Sequence, residues 1–345
     1  MKSSDSCSDR DSDSDNSSGS GGIKLSAGLS ADTLAALFKF VKAANGNESD
    51  AGKDGSNNAV CDKEAMSKEI SDQLDHRMPN PIMTPVNLEA TEPCHAVDYL
   101  RENGVVRLDN ILSHELCDAC ATAINVSLQV ARDAGIDYFS DTKEMGFGNV
   151  DANNKRWDMY LNNQGPFQAS MQYMFGESST VLSTLFSNLF NGVDPQMYEY
   201  AALISDSGAV SQRIHSDTTF QTECPLYTVF IALQDITSDM GPTIFLPGSN
   251  TEVGHTEFRF RRNQFIDGSI SKHSLLKKGD VTVMDSRSFH CGSANNSLYR
   301  RALFYFTLLN PNITNMGEGS MFENMKPLNL STFSSSYGST DGVLK

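Results

Sequence analysis

Residues 227–250 read YTVFIALQDITSDMGPTIFLPGSN, and their punctuation decides the fold class. An apolar run at 227–233 is rich in β-branched and aromatic side chains, which suit a pleated surface. The turn material Asp239-Met240-Gly241-Pro242 follows, then a second short run at 243–246, then Pro247-Gly248-Ser249-Asn250. Gly and Pro at these points stop a strand and reverse the chain. The same rhythm extends outward: further short strands are expected at 198–204, 273–276, 280–284 and 302–309. Many short strands separated by tight turns predict a sandwich or barrel.

Upstream of residue 195 the period changes. Residues 95–103 read as a helix ended by Gly104, 105–108 as a strand, and 114–133 as a long helix capped by Ser113 and closed by Gly135. Helices before strands make the domain α+β. Cys117 and Cys120 fall on the long helix in one stripe with Ile124 and Leu128. They read as core rather than as a zinc or redox pair, because no second Cys or His pair stands at metal-ligand spacing. Further upstream, residues 1–22 are almost entirely Ser, Asp and Gly and are expected to be disordered. A short amphipathic helix carrying Leu34, Leu37, Phe38 and Val41 follows, and then a charged helical stretch at 62–77. The expected organisation is a tail with one helix at 1–60, a linker at 61–90, the compact domain at 91–312 and a C-terminal tail at 313–345. The Ser-rich stretch 329–338 reads as mobile.

The formal net charge of -16 across 345 residues, at a sequence pI near 4.8, argues against nucleic acid or an anionic bilayer as partner. Seven cysteines are too few and too scattered for a disulfide scaffold. No apolar run reaches the roughly 18 residues of a spanning helix, and no secretory h-region opens the chain. The expectation is a cytoplasmic protein whose partner is a small molecule; the oligomeric state stays open.

One local element carries chemistry. His215-Ser216-Asp217 ends an expected strand, and i and i+2 of a strand project to one face. An imidazole and a carboxylate on one face are two of the three ligands of the 2-His-1-carboxylate facial triad, which suits non-haem Fe(II). A third candidate, His290, follows the strand at 280–284. Arg300 opens the last strand and could pair bidentately with the carboxylate of a diacid.

These residues sit within a longer likeness. From about residue 92 to 311 the chain resembles the phytanoyl-CoA dioxygenase family of Fe(II)/2-oxoglutarate oxygenases. The likeness runs through Tyr99-Leu100-Arg101-Glu102-Asn103-Gly104-Val105-Val106, Gln212-Arg213-Ile214-His215-Ser216-Asp217, Ile231-Ala232-Leu233-Gln234-Asp235 and Gly241-Pro242-Thr243. It continues through Phe245-Leu246-Pro247-Gly248-Ser249, Gly279-Asp280-Val281, His290-Cys291-Gly292-Ser293-Ala294-Asn295 and Arg300-Arg301-Ala302-Leu303. The resemblance implies a double-stranded β-helix, or jelly-roll, core flanked by N-terminal helices. It implies that His215, Asp217 and His290 bind Fe(2+). It further implies that 2-oxoglutarate chelates the iron and leaves one position for O2. Arg300 is expected to hold the far carboxylate, with Ser293 and Gln212 as helpers.

Two departures stand out. Phe230 replaces a frequent Trp, and the loop after His290 is about one residue short, so Arg301 competes with Arg300. Strand parity places Arg300, Ala302, Phe304 and Phe306 on one face. By likeness to related enzymes, a carboxylate at Asp217 implies hydroxylation or a related two-electron oxidation rather than halogenation. The rival readings are a jelly-roll binding protein without catalysis and a metal cupin enzyme that uses no 2-oxoglutarate.

Other residues are read more plainly. His95 and His114 are expected at the surface, His255 on a solvated loop, and His273 at the start of a strand. Arg259-Phe260-Arg261-Arg262 reads as an exposed strand face. Trp157 and Met159 are candidates either for the pocket wall or for the core.

Overall fold

The computed structural model describes residues 86–133, 147–151, 155–176, 181–313 and 328–333. The expected helices at 30–45 and 62–77, the closing Gly135 and the tail beyond Phe333 lie outside the described residues.

Two sheets form the scaffold. The larger has seven strands in the order β2-β9-β6-β11-β5-β4-β3: Val105–Leu108, Val281–Asp285, Leu226–Ala232, Arg301–Leu309, Gln196–Ser205, Arg156–Tyr160 and Phe147–Asp151. The smaller has four, in the order β1-β8-β7-β10: Val86–Asn87, Lys272–His273, Thr243–Phe245 and His290–Gly292. Six of the nine pairings join strands distant in sequence, and apart from the parallel β1–β8 pair the pairings are antiparallel. This is the expected jelly-roll core in an α+β domain. Strand boundaries agree with the sequence reading to within a few residues, since the turn residues that end strands are local signals.

The large sheet has two unlike faces. On one side Trp157, Met159, Ala202, Ile204, Ala302, Phe304, Phe306 and Leu308 pack into the main core. Four helices supply the other half of that core: α1 (Ala96–Asn103), α2 (His114–Asp133), α3 (Gly165–Phe175) and α4 (Val181–Leu189). Phe175 meets Phe306 edge-on at 5.7 Å, and Tyr200 meets Phe304 at 5.1 Å. Burying each such ring contributes roughly 1.5–3 kcal/mol. Cys117 and Cys120 are fully buried in this core, as expected. On its other side the sheet faces the barrel interior, where Phe230, Ala232, Met284, Leu303 and Tyr305 pack with Phe245 of β7.

Local chemistry explains the ends of the helices. Gly104 closes α1 at φ 71, and a Cβ there would lie 2.1 Å from the Ser288 hydroxyl oxygen, so only glycine fits. Ser113 accepts the amide of Leu116 at 3.4 Å and caps α2.

Two segments differ from the sequence reading. Residues 252–268 form a fifth helix, α5 (Glu252–Gly268), capped by Thr251, whose side chain accepts from the Gly254 amide at 3.1 Å. Arg259-Phe260-Arg261-Arg262 is therefore helical, with a break at Arg261 (φ -140, ψ 43); the alternating charges suggested a strand. His255 also lies on this helix rather than on a loop. Leu330 and Phe333, expected in a mobile tail, are buried in the main core. Two apolar side chains were enough to anchor a segment whose composition reads as tail.

Candidate metal centre and anion pocket

His215 and His290 come together across 75 positions of sequence by pairing backbones. Each amide donates to the other's carbonyl, at 2.9 and 2.8 Å, and the rings sit 4.5 Å apart between centroids. Asp217 joins them through the turn after β9: its amide and that of Thr218 both donate to the Ser286 carbonyl, at 3.0 and 3.1 Å. The Asp217 Oδ1 atom then lies 3.7 Å from His215 Nε2 and 3.6 Å from His290 Nε2. The three donor atoms lie within 4.8 Å of one another, and among the described residues no other set of His, Cys, Asp and Glu is so placed.

The donor chemistry fits a metal ion. Nδ1 of His215 faces the Arg213 carbonyl at 2.8 Å, and Nδ1 of His290 faces the Ser288 carbonyl at 3.1 Å. A carbonyl can only accept, so each Nδ1 carries the proton and each Nε2 turns its lone pair toward Asp217. Burial holds His290 below the ordinary histidine value, partly offset by Asp217. It therefore stands neutral, as a ligand must.

Two buried guanidinium groups lie beside the segment that follows β10. Arg156 of β4 and Arg301 of β11 both pair with Ser205 of β5, forming a row across three strands on the interior face. All three residues are fully buried. Arg156 donates to the carbonyls of Val210, Gly292 and Ser293, tying it to the segment just past His290. Arg301 donates through Nη1 to the Gly241 carbonyl. Its Nε and Nη2, and the Ser205 hydroxyl, have no partner among the described residues. Burial, and then the charge of Arg156, press the Arg301 guanidinium down to about 9. Buried donors without acceptors are costly, and a carboxylate is the group that would satisfy two guanidinium N–H groups together.

Arg300 is elsewhere. Its Nε donates to Asp206 at 2.5 Å and its Nη1 to Asn125 of α2 at 3.0 Å. The parity argument was sound: Arg300 does share a side with Ala302, Phe304 and Phe306. That side, however, is the one covered by helices. The interior side carries Arg301, Leu303 and Tyr305, which corrects the expectation that Arg300 faces the cavity. The two expected helpers are near the pocket but engaged. Gln212 Oε1 accepts the Gly292 amide at 2.9 Å, and the Ser293 hydroxyl donates to the Pro242 carbonyl at 2.7 Å.

The interior face also holds groups that sequence reasoning passed over. Trp157 and Met159 belong to the helix-covered core, so the alternate residues of β4 face inward. Tyr305 donates its hydroxyl to Asp158, 2.9 Å from each carboxylate oxygen, and the Thr307 hydroxyl donates to Glu199 at 3.1 Å. Burial, then Glu199, pushes the Asp158 carboxyl up to about 8; burial, then Asp217, pushes Glu199 up to about 7. The period-2 alternation of β4 was the available signal, but it could not be used before the segment was known to be a strand. Phe230 also lines the interior, 5.7 Å from the Tyr305 ring.

A jelly roll with a His–Asp–His centre and a buried guanidinium on the interior face of its large sheet points to a class: the non-haem iron oxygenases that take a keto-diacid cosubstrate. A sequence model of the family described as "Phytanoyl-CoA dioxygenase (PhyH)" matches residues 100–302, and the chain belongs to that family. It is an enzyme of the Fe(II)/2-oxoglutarate oxygenase superfamily, and iron and 2-oxoglutarate are its cofactor and cosubstrate.

Solved structures share the fold. AviO1 from Streptomyces viridochromogenes Tue57 is 16% identical with a TM-score of 0.50, covering 66% of this chain and 99% of its own. The epimerase SnoN, in complex with Fe3+, α-ketoglutarate and nogalamycin RO, is 15% identical with a TM-score of 0.48, covering 69% and 98%. HygX from Streptomyces hygroscopicus, with nickel, 2-oxoglutarate and hygromycin B bound, is 11% identical with a TM-score of 0.44, covering 64% and 88%. At these identities the likeness concerns the fold alone. Among curated proteins none matches the sequence. No helix among the described residues is long and apolar enough to cross a membrane.

Proposed function

We propose that this protein is a dioxygenase that hydroxylates a small organic molecule, while 2-oxoglutarate is decarboxylated to succinate and CO2. The observation that carries the reading is the pairing of two sites inside one barrel: the His215, Asp217 and His290 donors, and the buried Arg301 with donors to spare.

His215, Asp217 and His290 hold the iron, which supplies the activation of O2 when bound. Arg301 receives the far carboxylate of 2-oxoglutarate, helped by the Ser205 hydroxyl and the neighbouring charge of Arg156. Fixing that end orients the keto acid toward the metal and lowers the entropic cost of the encounter. Asp158, Glu199, Tyr305 and Thr307 form a polar wall on the same interior face. That wall suits a substrate presenting hydrogen-bond donors or a cationic group. Phe230 and Leu303 add apolar surface to the same interior.

The test is succinate formation from 2-oxoglutarate and O2 by the Fe(II)-loaded protein, with and without small polar candidate substrates. Turnover in the absence of substrate, stimulated by the correct one, is expected. A protein that binds metal but neither binds nor consumes 2-oxoglutarate would instead be a metal cupin of another kind. One that binds the cosubstrate and never turns over would be a binding protein.

A further inference from the structure

Asp217 and His215 are the two exposed ligands: their side chains are 38% and 43% exposed, against 8% for His290. His215 is fixed by backbone pairing with His290, which Asp217 lacks. Asp217 lies outside any strand, at the head of a loop that runs to Leu226, where β6 begins. Its placement must come from whatever holds that loop.

We propose that Arg287 is the positioning residue that holds the Asp217 loop in metal-binding geometry, acting through a buried ion pair with Asp285. This rests on the metal-site reading above. Asp285 closes β9 and is 1% exposed; Arg287, two residues on, is 9% exposed. The Arg287 Nε donates to both Asp285 oxygens, at 3.0 and 3.2 Å, and its Nη2 donates to Oδ2 at 2.5 Å. The carboxylate also accepts the Arg287 amide at 2.9 Å and the Asn250 side-chain amide at 3.3 Å. This fixes the guanidinium plane.

The remaining guanidinium nitrogen, Nη1, points into the loop. It donates to the carbonyls of Gln221 and Thr222, at 2.7 and 2.9 Å. Phe220 lies beneath the same guanidinium at 5.8 Å. Between the two anchored residues, Ser286 takes the other end of the loop. Its carbonyl accepts the amides of Asp217 and Thr218, and its hydroxyl bonds that of Thr218 at 2.8 Å. His255 of α5 closes the arrangement by donating from Nε2 to the Arg287 carbonyl at 2.7 Å. The run 285–287 thus grips the loop at its ligand end and in its middle. Two residues later the same strand turn delivers Phe289 and His290. One short segment therefore places two of the three ligands relative to each other.

Lysine cannot replace this geometry, because a single ammonium cannot span both the carboxylate and two loop carbonyls in the fork that guanidinium provides. The experiment measures Mn(II) affinity of the full chain by electron paramagnetic resonance, together with amide hydrogen exchange of the metal-free protein. It compares the wild type, Arg287→Lys, and the charge-neutral pair Asp285→Asn with Arg287→Met, which leaves no lone buried charge if Arg287→Lys fails to fold. The expected result is a 10–100-fold loss of Mn(II) affinity, the usual scale for groups that orient metal ligands. It should come with faster exchange confined to residues 217–224 while β5 stays protected. Unchanged affinity in a folded variant would overturn the proposal, as would faster exchange spread evenly over the barrel. A wild-type chain that binds no Mn(II) would instead overturn the metal-site reading.

Discussion

Replacing Arg301 with methionine should weaken 2-oxoglutarate binding and at the same time stabilise the cosubstrate-free protein. Truncating one member of a buried, hydrogen-bonded charge pair costs about 2–5 kcal/mol, and each 1.4 kcal/mol is about tenfold in affinity. Arg156 remains beside the pocket and can share the carboxylate, which moves the expectation to the lower half of that range: about 30- to 300-fold. The opposite effect on stability follows from the free protein. Arg301 is fully buried and pressed down to about 9 by burial and by Arg156, so its charge is a burden until an anion arrives. Replacing it with an apolar chain of similar length removes that desolvation cost and the repulsion from Arg156, so the variant should be more stable. Arg300→Gln is the control. Its pair with Asp206 is partly exposed, so it should cost at most about 1 kcal/mol of stability and leave cosubstrate affinity unchanged. Calorimetric titration of 2-oxoglutarate into the Mn(II)-loaded protein, with urea unfolding of the free protein, reads both effects. Retained affinity in Arg301→Met, or lost affinity in Arg300→Gln, would refute the assignment of the anion pocket.

Further outcomes follow from the same geometry. Asp158 and Glu199 hold protons more tightly folded than unfolded, at about 8 and about 7, well above the ordinary carboxylate value of about 4. Stability of the metal-free protein should therefore fall as pH rises from about 4 to 8, by up to about 1.4 kcal/mol per pH unit for each group. Asp158→Asn should remove its share of that slope in urea titrations at successive pH values; an unchanged slope would place its carboxyl in water. Asp217→Ala should abolish Mn(II)-induced stabilisation, which at one hundred times Kd is about 2.7 kcal/mol in the wild type; a persistent thermal shift would mean that the ion binds elsewhere. Gly104→Ala should lower stability by more than about 1 kcal/mol, because both the left-handed backbone and the Ser288 hydroxyl oppose a Cβ. Thermal unfolding checks it, and a neutral effect would show that the turn after β9 can yield.

Much of this protein is written locally. Gly104, Ser113 and the Gly/Pro turns around 239–250 end or begin elements through their own backbone preferences, so α1, α2, β2 and the β6–β7 region could be read from adjacent residues. The His-x-Asp pair is likewise local. His290 could be singled out from its place after the strand at 280–284 and from the family resemblance, but it reaches His215 only by backbone pairing. Where reading failed, the deciding contact was distant. Arg300 and Arg301 are neighbours with the same chemistry, and parity sets them on opposite faces without saying which face the helices cover. The family resemblance made Trp157 and Met159 candidates for the pocket wall, yet the inward positions of β4 belong to Arg156 and Asp158. Sequence determines which residues alternate, since that follows from the pleat of each strand. The sidedness of each strand is settled only when helices α1 to α4 commit their apolar stripes to one face of the large sheet. That commitment sends Arg301 to the barrel and Arg300 to Asp206, and no local preference encodes it.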